Sequence, residues 1–246
     1  MSTEERNSEE DVMTDGDNPV EQVFPGVYKV PDPKNQKKKL LATRNLTPGK
    51  VYYGEHTFKT SAQEFRFWDP FRSKLSGAIL NGLKSMPIVE GSTCLYLGAS
   101  TGTTVSHLSD IVGQTGKIFA VEMAPRVARE LLENVVRFRK NVTPIVADAR
   151  HPERYQLVYG KIPVVYCDIA QPDQTDIAIT NCEYFFEGKG ILLLVVKASS
   201  IDVLKSKGEV FGEQIDLLSK RRYRTLERID LEPYDKNHAI IVAERD

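Results

Sequence analysis

Five short apolar runs recur between residues 93 and 197: Cys94–Leu97, Ile118–Val121, Val142–Ala147, Val164–Asp168 and Ile191–Val196. Helical patterns lie between them. Arg126–Lys140 carries Val127, Leu131 and Val135 on one stripe, with Pro125 suited to a first helical turn. Asp173–Phe186 carries Ile177, Cys182, Phe185 and Phe186 and stops before Gly188. Short strands alternating with helices cannot pair as hairpins. They predict a parallel sheet covered by helices on both faces.

The two ends of the chain follow other rules. Arg224–Leu231 and His238–Glu244 are extended runs joined by the turn segment 232–237, which predicts a terminal antiparallel hairpin. A parallel sheet with such an ending is the layout of Rossmann-like methyltransferases, and NAD-binding doubly wound domains lack that hairpin. Before it, Val27–Val30, Lys39–Arg44, Val51–Phe58 and Glu64–Trp68 read as short strands of a small antiparallel sheet, separated by Pro, Gly and Asn turns. Phe71, Leu75, Ile79 and Leu83 share one helical face. The expected organisation is an acidic tail (1–21), a small β domain (22–70) and a methyltransferase domain (71–246).

Charge separates the same regions. The net charge is −1, but residues 1–21 hold eight carboxylates and one arginine, so the tail carries −7 and the remainder +6. The tail has too little apolar content to fold and is expected to be disordered. With hydrophobic residues at 41%, the chain as a whole is not disordered. Its longest aliphatic run, Ile191–Val196, is far too short for a bilayer crossing, so no membrane role is expected. Cys94, Cys167 and Cys182 form no CxxC pair and read as buried thiols, not as a disulfide frame or zinc site.

Four features fall at strand ends on the carboxyl edge, where open α/β sheets bind ligands. The first is the loop Gly98-Ala99-Ser100-Thr101-Gly102-Thr103-Thr104. Its small residues permit close backbone approach, although a plain strand-to-helix turn would look the same. Its GxxxG spacing is not the GxGxxG of a pyrophosphate cradle. Glu122 follows 24 positions after Gly98, where a carboxylate can accept both hydroxyls of an adenosine ribose. Asp148 and the Ala149 N–H offer the acceptor and donor that adenine needs, against the alternative of a turn aspartate. Asp168, with Gln171 close behind, ends the next strand. Together these favour S-adenosylmethionine over a hydride-transfer cofactor, because a sulfonium donor has no pyrophosphate to cradle. Lys197 follows the most apolar strand, close to Asp168. Spacing alone does not connect Lys74 or His238 to either.

Five segments resemble fibrillarin: PFRSKL (Pro70–Leu75), LYLGASTGTTVSHLSDIVG (Leu95–Gly113), DARHP (Asp148–Pro152), DIAQPDQ (Asp168–Gln174) and LEPYDKNH (Leu231–His238). The resemblance runs from about Phe24 to the C-terminus. It implies the RNA ribose 2′-O-methyltransferase of a box C/D guide ribonucleoprotein acting on rRNA and tRNA. It also implies S-adenosylmethionine held by Gly98–Thr104, Glu122, Met123, Asp148, Ala149, Asp168 and Gln171. Lys74, Asp168, Lys197 and His238 are the implied catalytic cluster. Implied partners are a guide RNA, the target RNA, a Nop-family scaffold protein and a kink-turn-binding protein. Met123 stands where the family often has an aromatic residue, and a thioether can pack there. An acidic tail replaces the Gly/Arg-rich region of eukaryotic fibrillarins, which fits the archaeal form and a cytoplasmic location. Two other readings remain open: a protein glutamine methyltransferase, and a non-catalytic scaffold on the same fold. The intact cluster argues against the scaffold.

Overall fold

The computed structural model describes residues 20–155 and 157–245. The chain opens with β1 (Glu21–Phe24), β2 (Val27–Asp32), β3 (Asn35–Arg44), β4 (Thr57–Lys59) and β5 (Glu64–Phe67). These form an antiparallel sheet of order β1-β2-β3-β5-β4. Then come α1 (Lys74–Leu80), β6 (Thr93–Leu97), α2 (Thr103–Val112), β7 (Lys117–Glu122), α3 (Pro125–Asn134) and β8 (Val142–Val146). They are followed by β9 (Val164–Cys167), α4 (Gln174–Phe185), β10 (Gly190–Lys197), a short α5 (Ala198–Ile201), α6 (Lys207–Lys220), β11 (Tyr223–Asp230) and β12 (His238–Arg245).

The second sheet has order β11-β12-β10-β9-β6-β7-β8. β6 to β10 are parallel, and β12 runs antiparallel to both β10 and β11. The expected parallel sheet with a closing hairpin is therefore what forms. Strand alternation supplies two cores. Cys94, Tyr96, Leu193 and Val195 face one side with Leu75, Leu108 and Leu131 from α1 to α3. Leu95, Leu97, Leu192 and Leu194 face the other with Ile177, Val210 and Leu218 from α4 and α6. The order of strands reverses between β6 and β9, so the loops that leave their carboxyl ends run to opposite faces of the sheet and leave a crevice.

The small sheet shares the first core, to which it contributes Val27, Leu41 and Trp68. A buried ionic knot ties it to α2. Asp110 on α2 pairs with Arg66 of β5 at 2.9 Å and with Arg139 at 2.6 Å. The same carboxylate accepts the Thr43 hydroxyl at 2.7 Å. Beside it, buried His107 contacts Thr43 through Nδ1 at 2.8 Å and the Tyr53 hydroxyl through Nε2 at 2.7 Å, and it stacks on Trp68. Burial first, then the charges of Arg66 and Arg139, hold its pKa well below 6.5.

Several boundaries depart from the sequence reading. Most of the acidic tail lies outside the described residues, but Glu21 belongs to β1: it pairs in register with Lys29, and its carboxylate sits 3.3 Å from Lys39. The strand expected over Val51–Phe58 reduces to Thr57–Lys59, because Glu55 replaces a sheet partner. Its carboxylate accepts the Tyr52 and Tyr53 N–H groups at 3.0 and 2.8 Å and pairs with Arg66. The helix expected from Phe71 begins only at Lys74, since Asp69 Oδ1 accepts the Phe71 N–H at 2.9 Å and makes a turn there. Helix α6 is an element that the sequence reading does not contain. It starts with a capping box in which Ser206 and Glu209 satisfy each other's backbone N–H groups.

Candidate active site

β6 ends at the glycine loop, and β9 ends at Asp168. The two ends are joined: the Asp168 N–H donates to the Leu97 carbonyl at 2.9 Å. Gly98 has φ +81°, and a Cβ there would lie 2.6 Å from the Asp168 carbonyl oxygen, so only glycine fits. Between these ends, a cavity of about 240 Å³ is lined by Gly98, Ser100, Glu122, Met123, Asp148, Ala149, Asp168, Gln171 and Lys197, among others. A larger hollow of about 810 Å³ lies at the opposite edge, against Thr93, Lys117 and Asn141 at the amino ends of strands. The crevice rule selects the smaller one.

Most of the cofactor residues read from sequence therefore share one cavity. Ala99, Gly102, Thr103 and Thr104 do not line it. Gly102 packs against Leu131 and Val135, and Thr104 meets Ser73 Oγ at 3.0 Å. Glu122 does more than face the cavity. Its two oxygens accept the Ser100 N–H at 3.0 Å and the Ala124 N–H at 2.9 Å, fixing the loop it faces. Asp148 accepts the Arg150 N–H at 2.9 Å.

Asp168 is the hub of the polar cluster. Lys197 Nζ lies 2.8 Å from its Oδ1 and 3.1 Å from its main-chain oxygen. Lys74 Nζ lies 3.4 Å from Oδ2. The side chains of Asp168 and Lys197 are 14% and 13% exposed, so the pair is only partly shielded from solvent. His238 does not reach Asp168. Its Nδ1 sits 2.9 Å from Asp235 Oδ1, and the other Asp235 oxygen lies 3.6 Å from Lys74 Nζ. The register that pairs Lys197 with His238 across β10 and β12 brings the histidine to the cluster. Beneath it, Tyr96 and Tyr166 stack at 4.6 Å. Burial raises both phenol pKa values well above 10, and the Asp168 charge adds to it, so neither phenol titrates near neutrality.

Two members were not singled out from sequence. Asp235 sits inside the hairpin turn, where an aspartate needs no special explanation, and only the fold shows it between two cationic groups. Arg150 grips Asp173 at 2.9 and 3.1 Å and Gln171 Oε1 at 3.1 Å, tying the loop after β8 to the loop after β9. Its guanidinium pKa is raised, chiefly by the bond to Asp173. No cluster of three metal-ligating side chains occurs among the described residues, and no helix among them is long and apolar enough to cross a membrane.

A reversed seven-stranded sheet with a small-residue loop, two carboxylates at successive strand ends and a lysine–aspartate cluster defines a Rossmann-like methyltransferase. The Fibrillarin family model matches residues 19–246. The chain is 50% identical over 203 residues to a fibrillarin-like rRNA/tRNA 2′-O-methyltransferase of Saccharolobus solfataricus, covering 82% of this chain and 87% of that protein. It is similar to Aeropyrum pernix fibrillarin, solved with natively bound S-adenosyl-L-methionine: TM-score 0.83, 42% identity, 91% of this chain and 97% of the other. It is also similar to a chain of a fibrillarin/Nop5p complex: TM-score 0.76, 38% identity, 84% of this chain and 94% of the other. The chain belongs to the fibrillarin family.

Proposed function

We infer that this chain is the catalytic subunit of a box C/D guide ribonucleoprotein, an S-adenosylmethionine-dependent RNA ribose 2′-O-methyltransferase acting on rRNA and tRNA. The observation that carries the reading is the Lys74–Asp168–Lys197 cluster, which opens from the wall of the crevice cavity. The cavity fits the cofactor chemically. Glu122 suits ribose hydroxyls, and Asp148 and the Ala149 N–H suit adenine. When bound, S-adenosylmethionine supplies a methyl group activated by a sulfonium.

The remaining work falls to the chain's own side chains. Lys197 Nζ faces the acceptor side and assists loss of the 2′-hydroxyl proton, as base or as electrostatic stabiliser. Asp168 holds Lys197 and Lys74 on its two oxygens. Lys74 and His238, braced by Asp235, steer the target ribose, so that orientation supplies much of the rate.

The fibrillarin/Nop5p complex supports a Nop-family scaffold as partner. The guide RNA, target RNA and kink-turn-binding protein belong to the proposal, and the +6 charge of residues 22–246 is compatible with them. A charge this mild does not select a sequence, so the isolated chain is expected to be a poor site-specific enzyme. A cytoplasmic location is part of the same proposal, and cell fractionation tests it. The decisive assay is transfer of labelled methyl to one guide-selected ribose by the assembled particle. Methylation of protein glutamine without RNA methylation would overturn the reading.

A further inference from the structure

One arginine organises the wall of the crevice cavity between β8 and α4. Arg150 lines that cavity together with Asp148, Ala149 and Gln171. Its Nε and Nη2 donate to the two oxygens of Asp173 at 3.1 and 2.9 Å, a bidentate fork. The same Nη2 donates to Gln171 Oε1 at 3.1 Å, and Nη1 lies 3.7 Å from Asp148 Oδ1. A single guanidinium therefore spans the loop after β8 and the loop after β9. Holding it takes Asp173 away from its helix. Asp173 stands at the N-cap of α4, where an aspartate ordinarily accepts a helix N–H, yet its side chain makes no cap bond.

The clamp also fixes the chemical sense of Gln171. A guanidinium can only donate, so the Gln171 amide presents its oxygen to Arg150 and keeps its nitrogen free. Among the described residues that nitrogen donates to nothing, and Gln171 lines the cavity. The main chain of Gln171 is held as well. Buried Gln174 donates from Nε2 to the Gln171 carbonyl at 2.8 Å and accepts the Lys197 N–H through Oε1 at 3.1 Å. On the other side of Arg150, buried Asn181 donates to the Ala149 carbonyl at 2.8 Å and so holds the loop that carries Asp148. A rigid frame on both sides leaves one unused N–H donor at the cavity, next to Asp148.

We propose that Arg150 is a positioning residue for the cofactor, and that it aims the Gln171 amide nitrogen at the adenine ring nitrogen N7. The proposal rests on the S-adenosylmethionine reading of the cavity and adds the residue that sets one of its contacts. The adenine amino group is flanked by two bare ring nitrogens, N1 and N7, and both accept hydrogen bonds. Asp148 suits the amino group and the Ala149 N–H suits N1. An ionised carboxylate cannot serve N7, because it only accepts, whereas the Gln171 amide supplies the missing donor beside it. Arg150 acts through Gln171: without it the amide is free to turn its oxygen inward, acceptor against acceptor.

The test is calorimetry of the purified full chain with S-adenosylhomocysteine and with its 7-deaza analogue, in which a C–H replaces N7. The wild-type chain should bind the analogue roughly tenfold more weakly, the scale of one hydrogen bond. Arg150→Ala should bind the two ligands within about twofold of each other. Gln171→Glu should do the same, since it keeps an acceptor for Arg150 but has no N–H to donate. Arg150→Lys should not restore the preference, because an ammonium is a point charge and cannot hold Asp173 and Gln171 in one planar fork. A mere brace between two loops would weaken both ligands by the same factor and leave their ratio at the wild-type value. That result in Arg150→Ala or Gln171→Glu would overturn the proposal, as would a wild-type chain that binds both ligands equally. A wild-type chain that binds neither would overturn the cofactor reading along with it. No RNA enters the assay, so its failure leaves the ribose methyltransferase reading standing.

Discussion

Replacing Lys197 by alanine should stop methyl transfer while leaving the fold and the cofactor site in place. Lys197 Nζ makes two contacts, both to Asp168, at 2.8 Å to the carboxylate and 3.1 Å to the carbonyl oxygen. The main chain of Lys197 is held independently, its N–H donating to Gln174 Oε1 at 3.1 Å, so truncation does not free the strand. Two losses follow. The group that manages the hydroxyl proton disappears, and Asp168 is left with Lys74 alone at 3.4 Å. Loss of a positioned proton-transfer group costs at least about 10²-fold in rate, equivalent to about 2.7 kcal/mol of barrier. Lys197→Arg should not rescue, because a guanidinium keeps its proton near neutral pH and its planar fork does not fit a point contact. The assay is single-turnover transfer by the assembled particle with saturating cofactor and guide-paired RNA, alongside calorimetry of cofactor binding. A Lys197→Ala rate within threefold of wild type would refute the assignment, and a large loss of cofactor affinity would move the lysine to the cofactor side.

Three further outcomes can be checked. Glu122→Ala should weaken S-adenosylmethionine binding by roughly 1–3 kcal/mol, since it removes a ribose acceptor and releases the Ser100 N–H; calorimetry on a variant that melts normally decides it. Asp235→Asn should lower the saturated rate about tenfold or more by loosening Lys74 and His238 together, with Asp235→Glu restoring part of it; a change in melting temperature with an unchanged rate would leave Asp235 only a structural role. His107 is held neutral in the fold and protonates near 6.5 when unfolded, so unfolding takes up a proton below that pH. Stability should therefore fall as pH drops below about 6.5, by up to about 1.4 kcal/mol per pH unit from this group, and His107→Gln should flatten that slope in urea titrations; parallel slopes would sink the argument.

The central strands β6, β7, β9 and β10 were legible because each carries an uninterrupted apolar run buried on both faces, as parallel strands require. The carboxylates that line the crevice cavity were legible for a related reason. Glu122 and Asp148 stand where an apolar strand stops, and strand ends on one edge of a parallel sheet converge. Loops closed by side chains were not legible. Nothing local marks Glu55 as the acceptor that turns an apparent strand, Val51–Phe58, into an irregular loop, because the arginine it pairs with lies on another strand. Lys74 and His238 could be placed at the cluster only through a family resemblance. Neither contacts the other directly, and the residue between them, Asp235, is an ordinary turn aspartate until β12 folds back beside β10.

The glycine loop also gains a meaning that its motif did not convey. Small residues in such a loop leave room for a ligand, yet the closest approach to Gly98 is made by the protein itself, at the Asp168 carbonyl oxygen. That oxygen is contacted by Lys197 Nζ, and the Asp168 N–H is bound to the residue before Gly98. The end of β6, Asp168 and Lys197 thus form one rigid joint across the point where the strand order reverses. A side chain at Gly98 would have to displace the main chain of Asp168, and with it the carboxylate that sets both Lys74 and Lys197. The cavity loop and the lysine–aspartate cluster are therefore coupled through a few backbone atoms at the crevice. Through it, side chains drawn from α1, β10 and β12 meet beside a cavity lined from the ends of β6, β7, β8 and β9.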